Sequence, residues 1–320
     1  MQAGNRGKAM RKGILALAIA ALAGGAWWWQ QGRLAKPLTP DDLAARLSVP
    51  LPAPDGPLAV YHLGHSLVGR DMPAMLAQMA GHEHASQLGW GSSLKDHWTG
   101  NVAGFETENA HPKHRPATEA LDSGDYPVVV LTEMVELRDA ISYHDSARHL
   151  ALWAAAARKA RPDVRLYLYE TWHRLDDAEG WLERIDRDGA RYWHGTLLAG
   201  AMAQDGVGEI YVIPGGPVMA AAVRAIEAGQ VPGLTRREDL FARDAAGQPD
   251  TIHFNDVGAY LMALTHYAVI YQKSPEGLPQ PTTRADGSPV TPLAPPTALA
   301  LQRIVWDTVS GYALTGLSKG

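Results

Sequence analysis

The strongest constraint on the fold is an alternation. Short apolar runs of strand length are separated by longer stretches with helical periodicity. Leu58 to Leu63 reads as a buried strand and Asp71 to Ala80 as a helix. Tyr126 to Leu131 is the clearest strand, because its consecutive valines suit a sheet buried on both faces. Ser146 to Ala160 reads as a helix ended by Arg161-Pro162, and Val164 to Tyr169 as a strand. Ala178 to Gln204 is helical with a possible break at Gly189, and Glu209 to Ile213 is a strand closed by Pro214-Gly215-Gly216. Pro217 to Ala228 and Asp256 to Gln272 complete the helical set. This order predicts an α/β domain with a parallel sheet covered by helices on both faces. In such sheets ligands sit beyond the carboxyl ends of the strands. The residues to watch therefore follow the strands: Gly64-His65-Ser66, Thr132-Glu133, Glu170-Thr171-Trp172-His173 and Pro214-Gly215-Gly216.

The flanks differ in character. Arg6, Lys8, Arg11 and Lys12 precede an apolar run from Ile14 to Ala26 that ends in Trp27, Trp28 and Trp29. Residues 1–34 thus read as an export signal, with Ala21-Leu22-Ala23 as a cleavage site, or as an uncleaved anchor with its charges in the cytoplasm. Both readings place the main domain in the periplasm or outside the cell, and the anchor reading holds it on the inner membrane. Residues 35–57 read as a linker containing one short helix, Pro40 to Leu47, with Thr39 as its N-cap. Ser274 to Pro296 is a Pro-rich surface loop, and Thr297 to Leu314 is a helix that packs back on the domain of residues 58–273. The net charge of −5 offers no basic surface to nucleic acid. The chain has no cysteine, so thiolate metal sites, disulfides and a Cys nucleophile are excluded.

Ser66 follows the first strand directly. A helix N-terminus after that turn would supply free N–H groups and a positive field to an oxyanion formed there. The plain alternative is that Ser66 only caps the helix. The turn is not a G-x-S-x-G elbow, since Val68 stands at the second glycine position. Far along the chain, Asp250-Thr251-Ile252-His253 precedes the last helix of the domain, at a spacing that lets a carboxylate hold an imidazole. The alternative is a capped helix start with a partly buried histidine.

Taken together, Gly64-His65-Ser66-Leu67 and Asp250-x-x-His253, continued by Phe254-Asn255-x-x-Gly258-x-Tyr260, resemble the first and last blocks of the SGNH (GDSL-like) hydrolases. The resemblance covers roughly Leu58 to Tyr271. It implies a three-layer flavodoxin-like fold with a five-stranded parallel sheet, and ester hydrolysis or acyl transfer with no metal or other cofactor. It also implies a triad of Ser66, His253 and Asp250, with Gly91 of Gly89-Trp90-Gly91-Ser92 as an oxyanion donor. The third block departs from the family pattern: Thr132-Glu133-Met134 stands in place of G-x-N-D. A carboxylate donates to an oxyanion only when protonated. Asn101 is therefore a candidate replacement, while Glu133 binds a substrate hydroxyl or holds Arg138.

Trp172 and His173 follow a strand and are candidates for substrate contact, with core packing as the alternative for Trp172. Trp90 and Trp98 could stack on a sugar or simply pack. The clusters His82-Glu83-His84 and His111-Pro112-Lys113-His114 lack a full ligand set and read as solvated loops rather than a metal site. The leading reading is an extracytoplasmic esterase acting on a small-molecule or glycan acyl ester. An O-acetyltransferase on an exported polysaccharide and an inactive glycan- or partner-binding module are the alternatives.

Overall fold

The computed structural model describes residues 34–244 and 246–318, so the expected signal or anchor lies outside the described residues. Among the described residues no helix is long and apolar enough to cross a membrane. The fold is that of the compact unit Pro37–Gly320.

The sheet has five parallel strands: β1 (Val60–His65), β2 (His84–Gly89), β3 (Val128–Leu131), β4 (Arg165–Glu170) and β5 (Tyr211–Pro214). Their order is β2-β1-β3-β4-β5, the flavodoxin-like order. The order reverses between β1 and β3, which pair from Val60↔Val128 to Leu63↔Leu131. Helices on one face, Asp71–Ala80, Asp256–Tyr271, Pro295–Gly311 and Gly215–Glu227, pack on one another. Ser146–Ala160 is the centre of the layer on the other face, with Leu94–Thr99 and Ala117–Ser123 against it. The resulting three-layer α/β fold buries β1 and β3 completely, which explains their near-continuous apolar character.

Several boundaries move by a residue or two, as for β1, read as Leu58 to Leu63 and found at Val60–His65. Thr39 does cap its helix, accepting from the Asp42 N–H at 3.2 Å. Leu43 and Leu47 of that helix are buried, so this part of the expected linker packs on the body. In Pro295–Gly311 the buried Ala298, Leu301, Val305 and Val309 recur at helical spacing and seat the helix on the domain. Gly189 marks a change of helix type: Trp181–Asp188 is α-helical and Gly189–Leu198 is π-helical.

Two elements run against expectation. His84, read as part of a solvated loop, opens β2, and His82 beside it is buried with its Nδ1 2.6 Å from the Tyr271 hydroxyl. Among the described residues no cluster could hold a metal ion. The segment containing Asp250 and His253, which has no strand pattern in the sequence, is strand β7 (Pro249–Phe254), paired antiparallel with β6 (Phe241–Arg243). Neither strand shows a clean alternation, because each is short and held by tertiary packing.

Candidate active site

The site lies beyond the carboxyl ends of β1 and β3, at the point where strand order reverses. Ser66 is the first residue after β1, and the helix after it begins only at Asp71. Its side chain does not cap that helix, whose N-cap position is Arg70. Instead the Ser66 hydroxyl lies 2.9 Å from His253 Nε2. On the other side of the ring, His253 Nδ1 is 2.9 Å from Asp250 Oδ2. The second carboxylate oxygen accepts from the Ile252 N–H at 2.8 Å and the His253 N–H at 2.9 Å. Those bonds fix the plane of the carboxylate. Burial raises the Asp250 pKa, but the His253 backbone N–H, the imidazole and the Ile252 N–H outweigh it and hold the group below the usual range.

The turn bearing Ser66 is built around His65. This buried ring donates from Nε2 to the Glu133 carbonyl at 2.9 Å, and its Nδ1 accepts from the Leu67 N–H at 3.3 Å. Burial pushes its pKa down to about 4, so it stays neutral and the tautomer is set by its two partners. The His65 carbonyl accepts from the Val68 and Gly69 N–H groups. One residue earlier, the Gly64 carbonyl accepts from Nε2 of buried His97 at 2.9 Å, and Gln87 holds the other nitrogen of that ring at 2.9 Å. Nothing in the spacing of His65, Gln87 and His97 marked them as partners, since they come from separate elements.

Gly64 is required by close approach rather than by its backbone angles. A Cβ there would lie 2.8 Å from Thr132 Cβ and 2.9 Å from Val68 Cγ2. Gly64→Ala is expected to destabilise the protein by about 1–3 kcal/mol through overpacking. It should also displace the Ser66 turn. Thermal melting checks the first effect, and a wild-type melting temperature would show that the β1 and β3 ends can separate freely.

Glu133 follows β3 and is fully buried. Its Oε1 accepts from the Met134 N–H at 2.8 Å and the Leu94 N–H at 3.2 Å. The glutamate thus anchors the first turn of Leu94–Thr99 and, with it, the end of the Trp90–Ser93 loop that contains Gly91. It does not hold Arg138, which pairs with Glu179 and Asp188. Gly91 is exposed with φ +56°, and open space surrounds the position a Cβ would take. Asn101 sits in the exposed turn after Leu94–Thr99, where its Nδ2 donates to Thr99 Oγ1 at 3.1 Å.

Trp172 is buried, and its indole N–H donates to the Ile252 carbonyl at 3.0 Å, while its ring lies 6.0 Å from that of Phe254. It packs beneath the strand that carries His253. His173 is also buried, with Nε2 3.4 Å from Asp188 in the cluster around Arg184. Trp98 meets Trp153 edge-on at 4.8 Å, and Trp90 donates to Glu108 at 2.7 Å. Both keep exposed surface, at 42% for Trp98 and 56% for Trp90, which leaves room for a flat ligand face.

No family model matches the sequence, and no curated protein matches it. Among solved structures, a DUF4886 family protein from Bacteroides uniformis aligns over 82% of this chain and 99% of its own, with a TM-score of 0.51 and 16% identity. That likeness is one of fold. A protein from Slackia heliotrinireducens, provisionally assigned as an SGNH hydrolase, aligns over 66% of this chain and 97% of its own, at TM-score 0.43 and 24% identity. A provisionally assigned GDSL-like lipase from Parabacteroides merdae aligns over 68% and 97%, at TM-score 0.41 and 12% identity.

Proposed function

We propose that this chain is a serine hydrolase of the SGNH type that cleaves an acyl or acetyl ester, outside the cytoplasm, on a small molecule or a glycan. The observation that carries the reading is the unbroken line from Asp250 Oδ2 through the His253 ring to Ser66 Oγ, with both contacts at 2.9 Å. Nucleophile, base and orienting carboxylate are the three parts such chemistry needs.

In this mechanism Ser66 Oγ attacks the ester carbonyl as His253 Nε2 takes its proton. The imidazolium is stabilised by Asp250, whose ionised form is favoured by its two backbone donors. The Leu67, Val68 and Gly69 N–H groups are taken up by His65, which leaves Ser66 N–H as the donor from this turn to the tetrahedral oxyanion. Gly91 supplies a second donor from the opposing loop. His253 then protonates the leaving alcohol. Water, activated by the same imidazole, attacks the acyl-enzyme, releases the acid and returns the proton to Ser66.

The test is labelling with a fluorophosphonate, followed by mapping of the adduct by mass spectrometry. An adduct on Ser66 is expected, and it should fall by at least a hundredfold in rate in His253→Ala. A folded protein that gives no Ser66 adduct, as judged by circular dichroism, would overturn the reading.

A further inference from the structure

A cleft of about 370 Å³ lies apart from the triad, along the outer edge of the sheet. Its floor is β2, from which His84 and Ser86 point into it, and its near wall is the helix Asp71–Ala80. Residues 111–113 form the opposite wall, where the Ser86 N–H donates to the Lys113 carbonyl at 3.0 Å. The Pro-rich loop closes the cleft through Arg284 and Ala285. Gln78 accepts from the Thr282 and Thr283 N–H groups, and Asp71 accepts from the Ala285 N–H at 2.9 Å. One end is Arg70, which closes the turn that begins at Ser66.

Cations outnumber carboxylates among the residues that line this cleft. Arg70, Lys113 and Arg284 line it against one carboxylate, Glu83, while the whole sequence carries −5. Lys113 pairs with Glu83, and Arg284 pairs with Asp256. Arg70 pairs with no carboxylate among the described residues; its guanidinium donates only to the carbonyls of Thr107 and Glu108. An arginine without a carboxylate partner among the described residues therefore lines the end of the cleft formed by the turn that begins at Ser66. Burial first, and the Lys113 charge next, push His84 down to about 4. Burial first, and the Arg70 charge next, lower His111.

We infer that this cleft binds an anionic group, a carboxylate or a phosphate, of an extended ligand whose ester end reaches Ser66. Guanidinium and ammonium donors make short charge-assisted bonds to either anion. The inference builds on the proposed hydrolase reading by giving its substrate a negative charge, but the cleft can be tested separately from the triad.

The experiment is calorimetric titration of the intact Ser66→Ala protein with three probes: a tetragalacturonate, inorganic pyrophosphate and neutral maltotetraose. Binding of one or both anions is expected, weakening as salt rises, with no binding of the neutral sugar. Tetragalacturonate alone would identify a carboxylate site, and pyrophosphate alone a phosphate site. Lys113→Gln, an exposed change, should weaken the anion about threefold, and Arg70→Gln about tenfold. Equal binding of maltotetraose, absence of any anion binding, or affinities indifferent to both substitutions would overturn the inference. Anion binding in a protein whose Ser66 takes no fluorophosphonate would sink the hydrolase reading and leave the cleft standing. The reverse pattern would remove the cleft alone.

Discussion

Asp250→Asn is expected to lower kcat for ester hydrolysis by about 10⁴-fold while leaving the fold intact. Asp250 Oδ1 accepts two backbone N–H groups, from Ile252 and His253, at 2.8 and 2.9 Å. An asparagine keeps its oxygen on those donors and so turns its NH₂ toward His253 Nδ1. Two donors cannot face each other, so the ring proton moves to Nε2 and points at Ser66. In that tautomer the imidazole cannot take the hydroxyl proton. The measurement is steady-state turnover of p-nitrophenyl acetate by wild type and variant, with thermal melting alongside. KM should change little, because the substitution touches the base and not the substrate. Turnover within tenfold of wild type, at an unchanged melting temperature, would remove Asp250 from the mechanism.

Glu133→Gln is expected to stabilise the protein selectively at high pH. Burial raises the Glu133 pKa from 4.5 to about 7, although the Met134 and Leu94 N–H groups pull it back in part. Between those values the folded protein keeps a proton that the unfolded chain releases. Stability therefore falls as pH rises through this window, by on the order of 3 kcal/mol if the folded state alone carries the shift. Glutamine has the same shape and retains an oxygen for both N–H donors, but it has no charge to bury. The difference in unfolding free energy, variant minus wild type, should be near zero at pH 4. It should grow to on the order of 3 kcal/mol by pH 8. Denaturant melts at the two pH values measure it. A difference that stays constant with pH would show that Glu133 does not titrate in this range, and that its role at the Leu94 N–H is purely geometric.

Asp250 and Glu133 are unequally legible in the sequence. The Asp250 and His253 pair stands out because its members are three positions apart on one segment. Whether they meet Ser66, which is 187 positions from His253, depends on how the antiparallel β6–β7 pair packs against the turn after β1. The same holds at Glu133. Its position after a clear valine-rich strand is readable, but its partner Leu94 opens a separate helix. A glutamate in that place suits a substrate hydroxyl or Arg138, and packing gives Arg138 to Glu179 instead. Trp172 shows the limit from the other direction. A tryptophan after a strand is equally suited to a cleft wall or a core, and only its burial beneath Ile252 and Phe254 decides between them.

The layering follows from the sequence alone. Apolar runs of strand length alternating with helical periodicity permit few economical burials, and the parallel α/β sheet is the one found. The sequence also dictates which residues follow the strands, and so which side chains are available at the sheet's open end. The tertiary structure alone decided β2 and β7, whose polar residues such as His84, Gln87 and Asp250 carry no strand signature. It also decided the His65 and His97 bonds that shape the Ser66 turn and the cation left unpaired at Arg70. The physical reason is common to all of these. Local periodicity reports which face of an element is buried, whereas hydrogen bonds and ion pairs between distant segments form only once those faces have packed.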